Sequence, residues 1–163
     1  ECQPMPCPSC GGKGRQVSIA TVGAMARTEV KAPRLSDPSY GLCLNPACRV
    51  VYFGSKGSIL EKSDVRVVVG FKEATNDAPV CYCFGHTREG ILREISQTGR
   101  STVREQIARE VKAGRCACEV KNPSGDCCLG EVGRVVKASI AQRRGLKRPE
   151  HKPEGSKPSC CAE

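Results

Sequence analysis

The sequence contains few of the residues from which large cores and many catalytic sites are built. It has no tryptophan, three tyrosines, three phenylalanines and two histidines, and no apolar run is long enough to span a membrane. With His86 and His151 as the only histidines, no Ser-His-Asp or Cys-His arrangement is suggested. The aromatic residues, among them Tyr40, Tyr52 and Phe53, are too scattered to form a stacking platform, so nucleic acid is not an expected partner.

Cysteine, by contrast, is abundant, with 13 residues in a chain of 163. A chain with a thin core is usually stabilised by disulfides in an oxidising compartment or by metal ions in a reducing one. The number is odd, Cys127-Cys128 and Cys160-Cys161 are adjacent pairs, and no signal peptide is recognisable. These features favour a reduced, cytoplasmic, metal-binding protein over a secreted disulfide scaffold, which the cysteine spacing fits poorly.

The formal net charge of +9 at pH 7 suggests an acidic partner or nucleic acid, but that sum counts every thiol as neutral. Four thiolates around one zinc(II) ion and four around an oxidised 2Fe-2S core each contribute about −2, which leaves roughly +5. Much of the remaining positive charge lies in residues 142–163. These residues have no apolar periodicity, and we predict that they form a disordered basic tail.

Two cysteine pairs near the start of the chain have the spacing of a zinc site. Cys7-x2-Cys10 is followed, after 32 residues, by Cys43-x4-Cys48, and each pair can offer two sulfurs to one tetrahedral ion. Zinc is the expected ion because four thiolates match its size and softness. Such a site is closed and therefore structural. Cys2 is a spare thiol that could replace Cys7.

We interpret residues 1–79 as a zinc-ribbon-like module with short strands. VSIATV at 17–22 and VVYF at 50–53 are β-like runs, and DVRVVVGF at 64–71 is predicted to be a strand with buried sides. The turn-rich TNDAP then leads to Cys81, and we place the boundary of the module near Pro79.

Residues 80–141 are predicted to form a second, helical module. A helix begins at Thr87 and ends at Gly99, and a second begins with a capping box of Thr102 and Glu105 and ends at Gly114. The apolar faces of these two helices consist of Ile91, Leu92, Ile95, Val103, Ile107 and Val111. NPSG at 122–125 is a turn signal, and a third, weaker helix follows Cys128.

Cys81 and Cys83 lie one residue apart, directly before the first predicted helix. Such a pair places two sulfurs close enough for one iron, and a second pair from a distant loop could serve the other iron of a binuclear cluster. The candidates for that second pair are Cys116, Cys118, Cys127 and Cys128. The helical hairpin brings both ends of this region to the same place, and helix N-termini there would favour anionic thiolates.

These stretches resemble a known family. VCYCFGHT, EVKAGRCAC and NPSGDCC are similar to the BFD-like 2Fe-2S domain at the N-terminal end of CopZ-type copper chaperones. CPSC, GLCLNPACRVVYF and VRVVVGFKE resemble the zinc-binding module that precedes it there. The likeness covers about residues 5 to 140 in the same order, and it implies an α+β protein in which a β-rich zinc module is followed by a helical hairpin holding a 2Fe-2S cluster.

The resemblance also implies a ligand set for the cluster. Cys81 and Cys83 match the family's Cys-x-Cys ligands, Cys118 matches the third ligand, and the fourth is Cys128 or Cys127. The preferred set is Cys81, Cys83, Cys118 and Cys128. This chain departs from the simpler Cys-x2-Cys pattern through the NPSG insertion, which makes Cys116 a rival for Cys118.

The function implied by the resemblance is one-electron support of copper trafficking. A reduced cluster could convert copper(II) to copper(I) for a copper-carrier domain or a metal-transporting ATPase, because thiolate carriers prefer the reduced ion. The sequence identifies no electron donor. It also has no M-x-C-x-x-C carrier loop. Either the carrier is a separate protein, or the chain has been cut, or Cys160 and Cys161 bind copper(I) transiently. An electron-transfer protein or chaperone is expected rather than a turnover enzyme.

Two alternatives remain open from the sequence. Both sites could hold zinc, with the basic tail contacting nucleic acid or an acidic protein. His86, three residues after Cys83, could be a replacement ligand or could donate a hydrogen bond to a cluster sulfur, but an ordinary loop residue is the preferred interpretation.

Overall fold

The structure is a computed structural model that describes residues 5–30 and 35–146. Within these residues a β-rich part is followed by a helical part, which is the mixed α and β composition expected from the sequence. Cys2, Cys160 and Cys161, together with most of the predicted tail, lie outside the described residues. Among the helices that are described, none is both long enough and apolar enough to cross a membrane.

The β-rich part is built around a four-stranded antiparallel sheet. The strands pair in chain order, and they are β1 (Gly14–Val17), β2 (Tyr40–Cys43), β3 (Val50–Gly54) and β4 (Ile59–Glu61). Helix α1 (Ile19–Met25) connects the first two strands. Its Val22 and Met25 are buried in one hydrophobic cluster with residues from β1 to β4, which fixes the helix against the sheet.

Strand β3 is buried along its whole length. A register shift between Val50 and Tyr52 lets two successive residues, Val51 and Tyr52, join the cluster that contains α1. Val50 and Phe53 instead pack in a second cluster with three cysteines. One strand therefore separates an ordinary hydrophobic core from a core made largely of thiols.

The predicted strand VVYF lies within β3, but the predicted strand at VSIATV is wrong. Only Val17 of that run belongs to a strand. Ser18 takes extended φ and ψ, and its side chain accepts a hydrogen bond from the N–H of Thr21 at 3.1 Å. This N-cap starts α1, so a local cap overrides the β preference of the following residues.

The predicted strand at DVRVVVGF is also wrong. The segment makes an isolated bridge between Val65 and Ala26 and otherwise runs between two 3-10 helices, Lys62–Asp64 and Gly70–Lys72. Val65 and Val69 are both buried in the core of the β-rich part. These valines hold the connection in the core. Their β preference does not produce a strand, because a strand forms only where a neighbouring strand is available for pairing.

The helical part begins with a short hairpin and continues through four helices. The hairpin pairs β5 (Pro79–Cys81) with β6 (His86–Thr87). The helices are α2 (Arg88–Thr98), α3 (Val103–Lys112), α4 (Cys118–Lys121) and α5 (Leu129–Leu146). Their core is a separate cluster in which apolar residues of α2, α3 and α5 surround Cys81 and Cys128. The division into domains at residue 79 stays a prediction.

The ends of α2 match the sequence prediction, whereas the start of α3 does not. Thr87 caps α2 by accepting from the N–H of Gly90, and Gly99 ends it with a left-handed φ of 81°. The capping box of Thr102 and Glu105 is not formed. Thr102 has helical φ and ψ and donates its hydroxyl to Glu94 at 2.6 Å, so this hydroxyl is directed to the preceding helix instead.

Helix α5 is longer than the sequence predicted. It runs to Leu146, so the start of the tail predicted at residue 142 is wrong for the first five residues. Arg143 donates from its guanidinium to the backbone oxygen of Ile95 at 2.8 Å. This contact holds the last turns of α5 against the C-terminal end of α2, and a composition-based prediction of disorder could not include it.

Candidate metal centres

The first cysteine pair lies in a tight turn before β1. The N–H of Gly11 bonds to the carbonyl of Cys7, and the N–H of Cys7 bonds to the carbonyl of Gly12, both at 2.8 Å. Gly11 has a φ of 67°, a conformation that glycine adopts without strain. The turn therefore brings Cys7 and Cys10 to the same side, and the N–H of Gly12 points at the sulfur of Cys10 at 3.4 Å.

The second pair flanks the connection between β2 and β3. Cys43 is the last residue of β2, and Cys48 bonds through its N–H to the carbonyl of Asn45 at 3.2 Å. The side chain of Asn45 accepts from the N–H of Ala47 at 3.0 Å. This turn folds the sulfur of Cys48 back toward Cys43.

The two pairs converge on a single site. The sulfurs of Cys7, Cys10, Cys43 and Cys48 all lie within 4.8 Å of one another, and those of Cys10 and Cys43 are 3.7 Å apart. Sulfurs on one tetrahedral zinc ion are separated by about 3.8 Å when the zinc–sulfur bonds are ~2.3 Å. Three of the four residues are buried and Cys10 is exposed. The residues present fit a structural zinc ion.

The thiols of this site differ in acidity. The N–H of Gly12, and secondarily the Asn45 side chain, lower the pKa of Cys10 to about 6. Burial raises the pKa of Cys43 to about 12. Zinc binds thiolates, so loading the site displaces the proton that Cys43 retains at neutral pH.

A buried lysine lies beside the zinc site, and sequence reasoning missed it. Lys72 is 5% exposed, and its ammonium donates to the carbonyls of Asn45 at 2.7 Å and Cys48 at 3.1 Å. Both carbonyls belong to the connection that holds the second cysteine pair. Its positive charge also lowers the pKa of Cys43, although burial outweighs this effect. Lys72 therefore places a cation next to a group of thiolates.

Four further cysteines meet in the helical part as two sulfur pairs. The sulfurs of Cys81 and Cys128 are 3.0 Å apart, and those of Cys83 and Cys118 are 3.5 Å apart. Each pair takes one member from the β5–β6 hairpin and one from the segment after α3. The expectation that the two sulfurs of the Cys-x-Cys pair share one iron stays a prediction.

The elements around these cysteines explain how they are placed. The hairpin β5–β6 holds Cys81, and the N–H of Ala117 donates to the sulfur of Cys83 at 3.3 Å. Cys118 is the first residue of α4, and Cys128 directly precedes α5. Because the hairpin separates Cys83 from α2, the dipole of α2 acts on Cys83 less directly than the sequence suggested. Cys128 directly precedes α5, so the N-terminal dipole of α5 is the one that acts most directly on a thiol of this group.

Three of these four thiols have a shifted pKa. The hydrogen bond between Cys81 and Cys128 lowers the pKa of Cys81 to about 6. The same bond, more than burial, raises the pKa of Cys128. Burial raises the pKa of Cys118 to about 12. Each pair therefore retains a proton at neutral pH that a bound metal would displace.

The remaining candidates lie at the edge of this group. Cys116 is half-buried and Cys127 is exposed, whereas the sulfur contacts at 3.0 and 3.5 Å involve Cys128 and Cys118. His86 lies in β6, opposite Cys81 in the register of the hairpin. The choice of Cys118 and Cys128 as ligands stays a prediction that this arrangement supports.

A four-stranded antiparallel sheet with four cysteines converging at one end defines a small zinc-binding domain, and residues 4–66 match the family model zf_CopZ, described as a zinc binding domain. Over 152 residues the chain is 31% identical to the copper chaperone CopZ of Archaeoglobus fulgidus. The aligned region covers 93% of this chain and 71% of that protein. The chain belongs to the CopZ family.

A solved structure gives the same result for the fold. The chain is similar to the N-terminal domain of Archaeoglobus fulgidus CopZ, with a TM-score of 0.67 and 31% identity, and the likeness covers 80% of this chain and 97% of that one. The resemblance to a CopZ-type zinc module is therefore confirmed. The BFD-like cluster domain inferred from the sequence stays a prediction.

Proposed function

We propose that this chain is a zinc and 2Fe-2S protein that supports copper trafficking by reducing copper(II) to copper(I). The observation that carries the proposal is the arrangement of Cys81, Cys83, Cys118 and Cys128 as two sulfur pairs. A 2Fe-2S cluster presents two irons, and each takes two protein thiolates. A single zinc ion would need all four sulfurs in one tetrahedron, and within residues 5–30 and 35–146 only the first site has that geometry.

The chain's own residues would bind and tune such a cluster. Cys81 and Cys128 are fully or almost fully buried in the helical core, whereas Cys83 is partly exposed. One side of the site is therefore shielded from water while the other is accessible to a reaction partner. The N–H of Ala117 donates to the sulfur of Cys83, a type of bond that favours the reduced, more negative state.

When bound, the cluster supplies one-electron chemistry: one electron leaves its reduced form and converts one copper(II) to copper(I). Copper is the metal we assign because the relative from Archaeoglobus fulgidus is named a copper chaperone. Thiolate carriers bind copper(I) in preference to copper(II). A copper-carrier domain or a metal-transporting ATPase is accordingly the partner we expect to receive the ion. The first site, with its closed set of thiols, has a structural role.

The test begins with metal analysis of the full chain purified without oxygen. We expect a red-brown protein with about two irons, two sulfides and one zinc per chain. After reduction with dithionite and removal of the excess, adding copper(II) with a copper(I)-specific chelator should yield about one copper(I) per cluster. A colourless protein with two zinc ions would instead identify the two-zinc alternative and refute the proposal.

Neighbouring cysteines provide matched controls for the ligand assignment. Cys118→Ser and Cys128→Ser should lose most of the bound iron and the copper-reducing capacity. Cys116→Ser and Cys127→Ser make the same chemical change one or two residues away and should retain both. If Cys127→Ser loses iron while Cys128→Ser retains it, the fourth ligand is misassigned although the cluster itself exists.

A further inference from the structure

The segment that joins Cys118 to Cys128 rests on the zinc module. Within it, the loop 122–126 is closed by its own bonds, since the Asn122 side chain accepts from the N–H of Ser124 at 3.1 Å and donates to the Asp126 carbonyl at 2.9 Å. Tyr52 of β3 donates its hydroxyl to the Pro123 carbonyl at 2.5 Å. Tyr52 is completely buried, so this bond joins the core of the zinc module to the loop.

Two further contacts fit the same loop to the same surface. Gly125 lies so close to α1 that a Cβ atom there would be 2.7 Å from the hydroxyl of Thr21. Arg15 of β1 forms an ion pair with Asp126. Both partners of that pair are about half exposed, so it contributes little to stability. The hydroxyl of Tyr52 is therefore the main polar anchor of the loop.

The other cysteine loop is anchored in the same manner. Tyr82 stands between Cys81 and Cys83, and its hydroxyl donates to the Val68 carbonyl at 2.7 Å and accepts from the N–H of Gly70 at 2.8 Å. The intervening Val69 is buried in the core of the zinc module. A tyrosine thus joins this loop as well to backbone that the zinc module holds in place.

Both anchoring hydroxyls act as hydrogen-bond donors. Burial raises the pKa of Tyr82 to about 12, and burial raises that of Tyr52 further. Each hydroxyl therefore remains a donor throughout the physiological pH range. Phenylalanine at position 52 would keep the ring in the core and leave the buried Pro123 carbonyl without its donor. Phenylalanine at position 82 would remove the bonds to the Val68 carbonyl and to the N–H of Gly70.

We propose that Tyr52 and Tyr82 are positioning residues through which the zinc module clamps the two cysteine loops of the cluster site in register with each other. This inference rests on the proposed function. It explains why the chain joins a structural zinc site to a redox site: Tyr52 lies four residues after the zinc ligand Cys48, in a strand that the zinc site holds at its start.

The first arm of the test compares the three tyrosines of the chain as phenylalanine variants. Tyr52→Phe should release iron to a ferrous chelator about tenfold faster than the wild type, as expected for one unpaired buried carbonyl. Tyr82→Phe should also release iron faster than the wild type, because both bonds of its hydroxyl are lost. They should also shift the visible circular dichroism and the reduction potential of the cluster while retaining one zinc per chain. The control is Tyr40→Phe, whose hydroxyl accepts from the N–H of Asp37 within the zinc module; this variant should match the wild type.

The second arm measures hydrogen exchange of the loop 122–126 and does not depend on iron. Tyr52→Phe should speed exchange at Gly125, whose N–H bonds to the Asn122 carbonyl, and Tyr40→Phe should not. A wild type without iron refutes the proposed function, while the exchange result still decides whether the loop is clamped. Iron release and exchange unchanged in both variants, or changed equally in Tyr40→Phe, would overturn the clamp.

Discussion

Replacing Lys72 with methionine provides the sharpest test of how the zinc site is held. The substitution keeps the length of the side chain and removes its charge and three donors. In the wild type the ammonium bonds to the carbonyls of Asn45 and Cys48, and four thiolates around zinc carry a net charge of about −2. Lys72→Met therefore removes a buried cation adjacent to a buried dianion.

Two opposing contributions set the size of the change in zinc affinity. Each bond from the ammonium to a carbonyl is worth ~1.5–3 kcal/mol, but the variant is relieved of the cost of burying a charge. Changes beside metal ligands typically cost 10- to 100-fold in affinity, which corresponds to ~1.4–2.8 kcal/mol. We expect the zinc dissociation constant of Lys72→Met to rise by about this factor.

The assay is competition for zinc with a chromophoric chelator at pH 7, and the control is Lys13→Met, which removes an exposed positive charge from the same module. Denaturant unfolding with and without zinc separates the two roles of Lys72, because the loss of charge compensation destabilises chiefly the zinc-loaded form. A dissociation constant within twofold of the wild type would refute the reasoning. If the zinc-loaded and zinc-free forms were destabilised equally, Lys72 would contribute through packing and not through charge compensation.

Three other expectations concern the folded chain. Ile107→Ala should lower the free energy of unfolding by ~2–5 kcal/mol, because Ile107 is completely buried in the helical core; a loss below about 1 kcal/mol in urea unfolding would contradict that packing. Gly125→Ala should cost ~1–2 kcal/mol in thermal unfolding, since φ is +73° and the new Cβ would meet Thr21, and an unchanged melting temperature would argue against this close approach. Tyr82 has a pKa raised from 10.0 to about 12, so its contribution to stability is present below pH 10 and is lost as the pH rises toward 12. Unfolding measured between pH 9 and 12 should show a smaller alkaline loss in Tyr82→Phe than in the wild type, and equal losses would contradict the assignment.

The sequence was most informative where function depends on local spacing. The two cysteine pairs of the zinc site are set by turns of four and six residues, so their spacing predicted a site that the structure and the family match support. Thr87 and Gly99 likewise marked the ends of α2 through local capping chemistry.

Prediction failed where distant residues decide the outcome. The valines from Val65 to Val69 favour a strand by propensity, but the folded sheet leaves them only one bridge. Lys72 reaches a carbonyl 27 positions away, and Tyr52 reaches one 71 positions away. No periodicity or motif marks either residue in the sequence, because their roles exist only once the sheet has formed.

The uneven burial of the four zinc ligands determines which thiol is oxidised first under oxidative stress. Three of the thiols are enclosed, while Cys10 faces solvent, and the N–H of Gly12 lowers its pKa to about 6. Exposed thiolates react readily with peroxide and alkylating agents. These reagents therefore reach Cys10 more readily than the enclosed thiols, and its modification would remove one of the four zinc ligands. Reagents that attack thiolates should modify Cys10 before its three partners react.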